Sequence, residues 1–112
     1  MQTADLRDAN LSDARLSNAN LSAASLTRAD LSFADLNHAN LSGTQLFRAD
    51  LSGTQTYRAN LTDTNLSFAN LSSAPYLTNE QLAQAESLVG ATMPDGTVIT
   101  KEGWEEFKKR YR

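Results

Sequence analysis

Few residues in this sequence have the types or spacing that chemistry requires. Asp30 and Asp50 stand twenty residues apart, beside a series of serines at the same interval, Ser12, Ser32, Ser52 and Ser72. Paired carboxylates perform acid–base work when a cleft buries them and separates their pKa values. His38 is the one histidine and has no second imidazole for a metal site and no poised nucleophile beside it. With no cysteine there is no thiolate ligand, no disulfide framework and no cysteine nucleophile. No metal site, no cofactor and no enzymatic activity are therefore expected, and His38 reads as a solvated surface residue.

What must position these side chains is an internal repeat. Leucine recurs every five residues, as Leu6, Leu11, Leu16, Leu21, Leu26, Leu31, Leu36, Leu41, Leu46, Leu51, Leu61, Leu66 and Leu71. Thr56 alone breaks this run of fourteen slots. Two residues before each slot sits Ala or Thr, then mostly Asp or Asn; after it comes mostly Ser or Thr. A period of five fits neither regular element. In an α-helix it scatters the leucines around the cylinder, and in a straight strand successive leucines alternate faces. All of them point inward only if the chain turns a corner once per repeat, which predicts a β-solenoid with leucine and the small residue as its core. Residues 26–45 share 10 identities with the chain displaced by 20, 11 at 10 and only 5 at 15, which favours an even number of repeats per turn.

The pattern A-[DN]-L-[ST]-x over residues 4–73 resembles the pentapeptide-repeat family. That resemblance implies an all-β solenoid, a right-handed quadrilateral β-helix with four repeats per coil. Departures are Thr56 at a leucine slot, and Arg15, Ser25, Gln45 and Gln55 where Asp or Asn is usual. The segment Ser87 to Thr97 is similar to stretches that follow the repeats in cyanobacterial members. Under this architecture residues twenty apart stack, giving an Asp8–Arg28 ion pair, an Arg48–Phe68 cation–π contact and an Asn20, Asn40, Asn60 amide ladder. A flat exposed face would deny Asp30 and Asp50 the cleft that catalysis needs.

The repeat fades at Tyr76, so the β-helix is assigned to 1–76 and a C-terminal helical cap and tail to 77–112. Thr78 and Gln81 form a capping box between Leu77 and Leu82, opening a helix over 78–89 with apolar Leu82, Ala85, Leu88 and Val89 and Gly90 as its terminator. Met93 to Gly96 reads as a turn, Thr97 to Ile99 as a short extended piece, and Thr100 as the N-cap of a second helix to about Tyr111. No comparable cap precedes Ala4, and Met1 falls in a leucine slot, so an open edge is expected there.

Ten basic against thirteen acidic side chains leave a net charge of −3, and no apolar run is long enough for a membrane span. Neither nucleic acid nor membrane is expected as a partner; the start lacks the features of a secretory signal, and a cytoplasmic setting is expected. The expected function is a non-catalytic scaffold binding an unidentified protein partner through flat solenoid faces, with Phe47, Phe68, Trp104 and Phe107 as candidate contacts. The resemblance supplies one alternative, a DNA-mimic inhibitor of a topoisomerase, although seven Asp and five Arg over residues 4–75 make a weakly acidic rod. A second alternative is the C-terminal accessory module of a larger signalling protein such as a kinase. The open edge further predicts a head-to-head homodimer.

Overall fold

The computed structural model describes residues 4–112. From Ala4 to Ala74 the backbone turns once per repeat: Ala9 N–H donates to the Leu6 carbonyl at 3.1 Å, Ala14 to Leu11 at 3.1 Å, and so on along the chain. The residue before each small side chain has positive φ, between 57° and 68° from Asp8 to Ser73. Twelve of these fourteen residues are not glycine, so each turn holds a side chain in a region that L-residues rarely occupy.

The repeat consensus has a local cause. Asn10 Oδ1 accepts from the Ser12 N–H at 3.1 Å and from its hydroxyl at 2.8 Å. The same pair of bonds recurs at Asn20–Ser22, Asp30–Ser32, Asn40–Ser42 and Asp50–Ser52. Asp or Asn before the leucine, and Ser after it, thus satisfy a donor that the turn would otherwise leave bare. At Gln55 this bond is missing, and the Asn37 side chain from the neighbouring coil takes the Tyr57 N–H instead, at 2.9 Å.

Coils contact one another every twenty residues, in parallel register, from Asp5–Ser25 and Asn10–Asp30 to Asp50–Asn70. The expected class does not hold. Among the described residues there is no β-strand; the cross-coil pairings are isolated single-residue bridges, supplemented by further backbone bonds such as Asp8 N–H to Thr27 C=O at 3.0 Å, and the regular elements are two helices. The physical reason is the corner itself, because a turn in every five residues ends the extended backbone before a strand can run. An all-β quadrilateral β-helix, in the sense of sheets made from strands, is therefore not what this chain forms. It forms turn-built coils joined residue by residue.

Leu26, Leu31, Leu36, Leu41, Leu46, Leu51, Leu61, Leu66 and Leu71 are 0–5% exposed. Leu46 N–H donates to the Asn65 carbonyl and Leu71 N–H to the Thr92 carbonyl, both at 2.8 Å, so the next layer holds the backbone at these slots too. The first coil differs from the expected leucine core. Leu6, Leu11, Leu16 and Leu21 are only partly buried, because no described layer lies beyond them. Inward threonines at 44, 54 and 64 donate to the carbonyls of Leu41, Leu51 and Leu61 at 2.6–2.9 Å. Thr56 is also buried, but its hydroxyl has no partner.

The C-terminal region departs from expectation as well. Helix α1 spans Asn79–Ala83 only, with the Thr78–Gln81 capping box formed. Beyond it the chain rejoins the stack: Asn65 bridges Ser87, Asn70 bridges Thr92, and Phe68 N–H donates to the Val89 carbonyl at 3.1 Å. Leu88 and Gly90 are thus parts of a resumed coil, not a helix face and its terminator. Val98 then pairs antiparallel with Thr92, and α2 follows over Lys101–Tyr111, N-capped by Thr100.

Candidate functional site

The acid–base candidates are engaged in turns. Asp30 and Asp50 each accept the N–H and the hydroxyl of the serine two residues on, at 2.6–3.0 Å. The Ser32 hydroxyl, and then its N–H, hold the Asp30 carboxyl below its usual range. His38 lies edge-on to Tyr57, with ring centroids 5.6 Å apart. The amide ladder is not formed, because Asn20, Asn40 and Asn60 direct their oxygens to Ser22, Ser42 and Thr62 in their own coils. The Asp8–Arg28 ion pair is present at 2.9 Å, and Arg48 sits 5.1 Å from the centre of the Phe68 ring.

The aromatic candidates divide. Phe47 and Phe68 meet edge to face at 5.8 Å, with Arg48 over both rings. Phe68 is 49% exposed, but its ring occupies the space above Gly90 (φ +80), where a Cβ would collide with it. Phe33 and Gly53 (φ +67) repeat that arrangement. Trp104 is 3% exposed within the core, so it offers no surface. Phe107 is partly buried beside it and lines a crevice of about 470 Å³ with Leu77, Met93 and Ile99. The crevice's carboxylate, Asp95, accepts both the N–H and the hydroxyl of Thr97 and is held below its usual range by them.

The binding mode expected of this chain needed flat sheet faces. Among the described residues there are no strands and hence no sheet faces, so neither the scaffold function expected through them nor the two alternatives beside it is supported.

A different surface stands out at the N-terminal end. Each bridging residue turns both its N–H and its C=O toward the preceding coil: Ser25 N–H donates to Ala4 C=O, and Leu6 N–H donates to Ser25 C=O, each at 2.8 Å. In the first coil the equivalent groups of Asp5, Asn10 and Arg15 have no backbone partner among the described residues. Behind them Leu6, Leu11 and Leu16 are only partly buried. Which backbone groups face that way depends on coil-to-coil register, which the sequence does not show.

The far end is closed. Gln81 Nε2 donates to the carbonyls of Thr56 and Ala59 at 2.8 and 3.1 Å, where the next coil would have stood. Gly90 and Ile99, and Met93 and Thr97, are joined by backbone bonds across the final turn. Arg112 donates to Ala83 and Ala85 carbonyls at 2.7 and 3.0 Å, tying the end of α2 to the chain that leaves α1.

The family described as Pentapeptide repeats matches residues 4–43 and 39–74, in eight copies. Among known structures, the chain is similar to the pentapeptide repeat protein Rfr23 from the cyanobacterium Cyanothece 51142, at 33% identity and a TM-score of 0.66. That likeness covers 88% of this chain and 62% of Rfr23, so the chain spans less than two thirds of that relative's length. It is also similar to a pentapeptide repeat protein of the Arabidopsis thaliana thylakoid lumen, at 25% identity and a TM-score of 0.50, covering 88% of this chain and 71% of the other. A search of curated proteins finds no match. The repeat is what these likenesses carry; the strands that the resemblance implied do not come with it.

Proposed function

We propose that this chain, which belongs to the pentapeptide-repeat family, is a non-enzymatic polypeptide-pairing module whose working surface is the backbone edge of its first coil. The observation that carries this reading is the outward N–H and C=O of Asp5, Asn10 and Arg15 in front of half-buried leucines. Such an edge recruits extended polypeptide through main-chain hydrogen bonds, with the apolar interior behind it adding burial. The same positions one coil further on, Leu26, Leu31 and Leu36, are 0% exposed. One added layer of chain therefore converts the first coil from half-buried to buried.

A non-catalytic role is supported by the use the chain makes of its acidic side chains. Asp30, Asp50 and Asp95 each close a turn through two hydrogen bonds to a following hydroxyl residue. Amide hydrogen exchange tests the reading directly. The Asn10 and Arg15 amides are expected to exchange freely in dilute protein, whereas those of Asp30 and Asp35 are protected. They should become protected on raising the protein concentration or adding an extended peptide with leucine at every fifth position. Absence of protection under both conditions removes the proposal.

A further inference from the structure

We infer that the occupant of the first-coil edge is the same edge of a second copy, in a head-to-head dimer whose two-fold axis crosses the Asn10 and Asn20 sides. This rests on the reading of that edge as the working surface. It adds the partner and the register.

The backbone pattern makes the edge self-complementary. In antiparallel pairing, a residue that directs both its N–H and its C=O across faces another of the same kind, and the two exchange both bonds. Asp5, Asn10 and Arg15 are residues of this kind. Two N-terminal edges brought face to face by a two-fold axis run antiparallel, so bridging residue meets bridging residue. A copy stacked in the same direction would instead need the opposite edge, which Gln81 and residues 97–99 already occupy. The association therefore closes at two.

Charge selects the register. The four sides of the coil carry Asp5, Asn10, Arg15 and Asn20 in order, with opposite charges on opposite sides. An axis through the Asn10 and Asn20 sides sets Asp5 against Arg15 of the second copy, and by symmetry does so twice. An axis through the other two sides sets Asp5 on Asp5 and Arg15 on Arg15, and a diagonal axis sets each charge against an asparagine. Arg15 makes no ion pair or side-chain hydrogen bond among the described residues; Asp5 already holds Arg7 through both carboxylate oxygens at 2.7 and 2.8 Å, so Arg15 of the second copy joins an existing pair and does not meet a free carboxylate. The apolar slots agree: Leu6 and Leu11 come to lie over Ala14 and Ala9 of the second copy, so each leucine meets a small inward residue.

Sedimentation equilibrium of the 112-residue chain is expected to show a monomer–dimer equilibrium. Asp5→Arg and Arg15→Asp are each expected to weaken self-association by about tenfold or more, because each sets like charges against one another at two symmetry-related places; Asp5→Arg also releases Arg7 from its pair within the coil. An equimolar mixture of the two variants is expected to recover the dimer. Both side chains are exposed, and thermal melts of each variant check that the coil persists. A monomer at every concentration, assembly beyond two, unaffected single variants, or a mixture that stays monomeric overturns the inference. If the chain remains monomeric yet an added peptide protects the Asn10 and Arg15 amides, the dimer is refuted and the pairing edge stands. If those amides are already protected in the dilute monomer, the edge itself is refuted.

Discussion

Thr56 is where a single side chain departs most from the repeat. It fills a leucine slot, is buried, and leaves its hydroxyl without an acceptor, although Thr44, Thr54 and Thr64 each find a leucine carbonyl. Their position two residues before the slot places them beside the turn; a slot residue points away from it. Thr56→Val keeps the shape and removes the orphaned hydroxyl, so it is expected to stabilise the chain by about 1 kcal/mol, or several degrees in Tm. An unchanged or lower melting temperature would show that the hydroxyl is satisfied. Asp5 gives a second residue-scale expectation. Hydrogen bonds from Arg7, side chain first and then backbone, lower its pKa from 3.8 to about 2. A carboxylate depressed in the folded state contributes stability above its unfolded pKa, and that contribution is lost as pH falls through the folded value. An NMR titration of Asp5 should therefore show a midpoint near 2, moving up toward 3.8 in Arg7→Ala.

At the scale of elements, the short helix α1 acts as a lid whose work is done by one side chain. Gln81 completes the capping box with Thr78 and donates to two carbonyls of the coil beneath. Gln81→Ala removes both functions at once and is expected to cost about 1–2 kcal/mol. Gln81→Glu keeps the capping acceptor but loses the amide donors, so it separates the two contributions in a denaturant titration. If Glu restores the whole loss, the donation to Thr56 and Ala59 contributes nothing. The helix expected over 78–89 ends at Ala83 because Ser87–Leu88 is more stable as coil: Glu86 N–H donates to Thr64 C=O at 2.7 Å and Leu66 N–H to Ser87 C=O at 2.9 Å. Leu88, Gly90, Ala91 and Met93 already carried a repeat-like spacing, displaced by two residues from the preceding coil. An apolar face at helical spacing concealed it.

For the whole molecule, burial falls toward the N-terminal end, and stability should follow. Leu31→Ala empties a fully enclosed slot and is expected to cost about 2–5 kcal/mol. Leu11→Ala, at the equivalent slot of the half-buried first coil, should cost well under half as much in dilute protein. It should also weaken self-association, because that side chain lies at the proposed interface. Equal costs at the two positions would show that the first coil is as well packed as the second. Exchange rates at Asn10, Asp30 and Asp50 give the same profile without mutation, since groups at an open end unfold locally before the interior does.

The spacing of leucine by five was enough to determine that the side chains at 26, 31, 36 and 41 face inward, since no helix or strand could bury them together. Thr78 with Gln81, and Thr100, located the capping box and the start of α2, because capping chemistry is local: donor and acceptor lie within three residues of each other. Whether the extended residues would join into strands was outside the reach of the leucine spacing. That depends on how many consecutive residues pair between coils, and the recurring turns limit each side to one. The fate of Trp104 was equally non-local, for an aromatic stripe looks the same in sequence whether it faces solvent or the packed end of a coil. The outward direction of the Asp5, Asn10 and Arg15 backbone groups belongs to the same class. Only the twenty-residue register between layers decides which N–H meets which carbonyl, and so which are left facing out at the end of the stack.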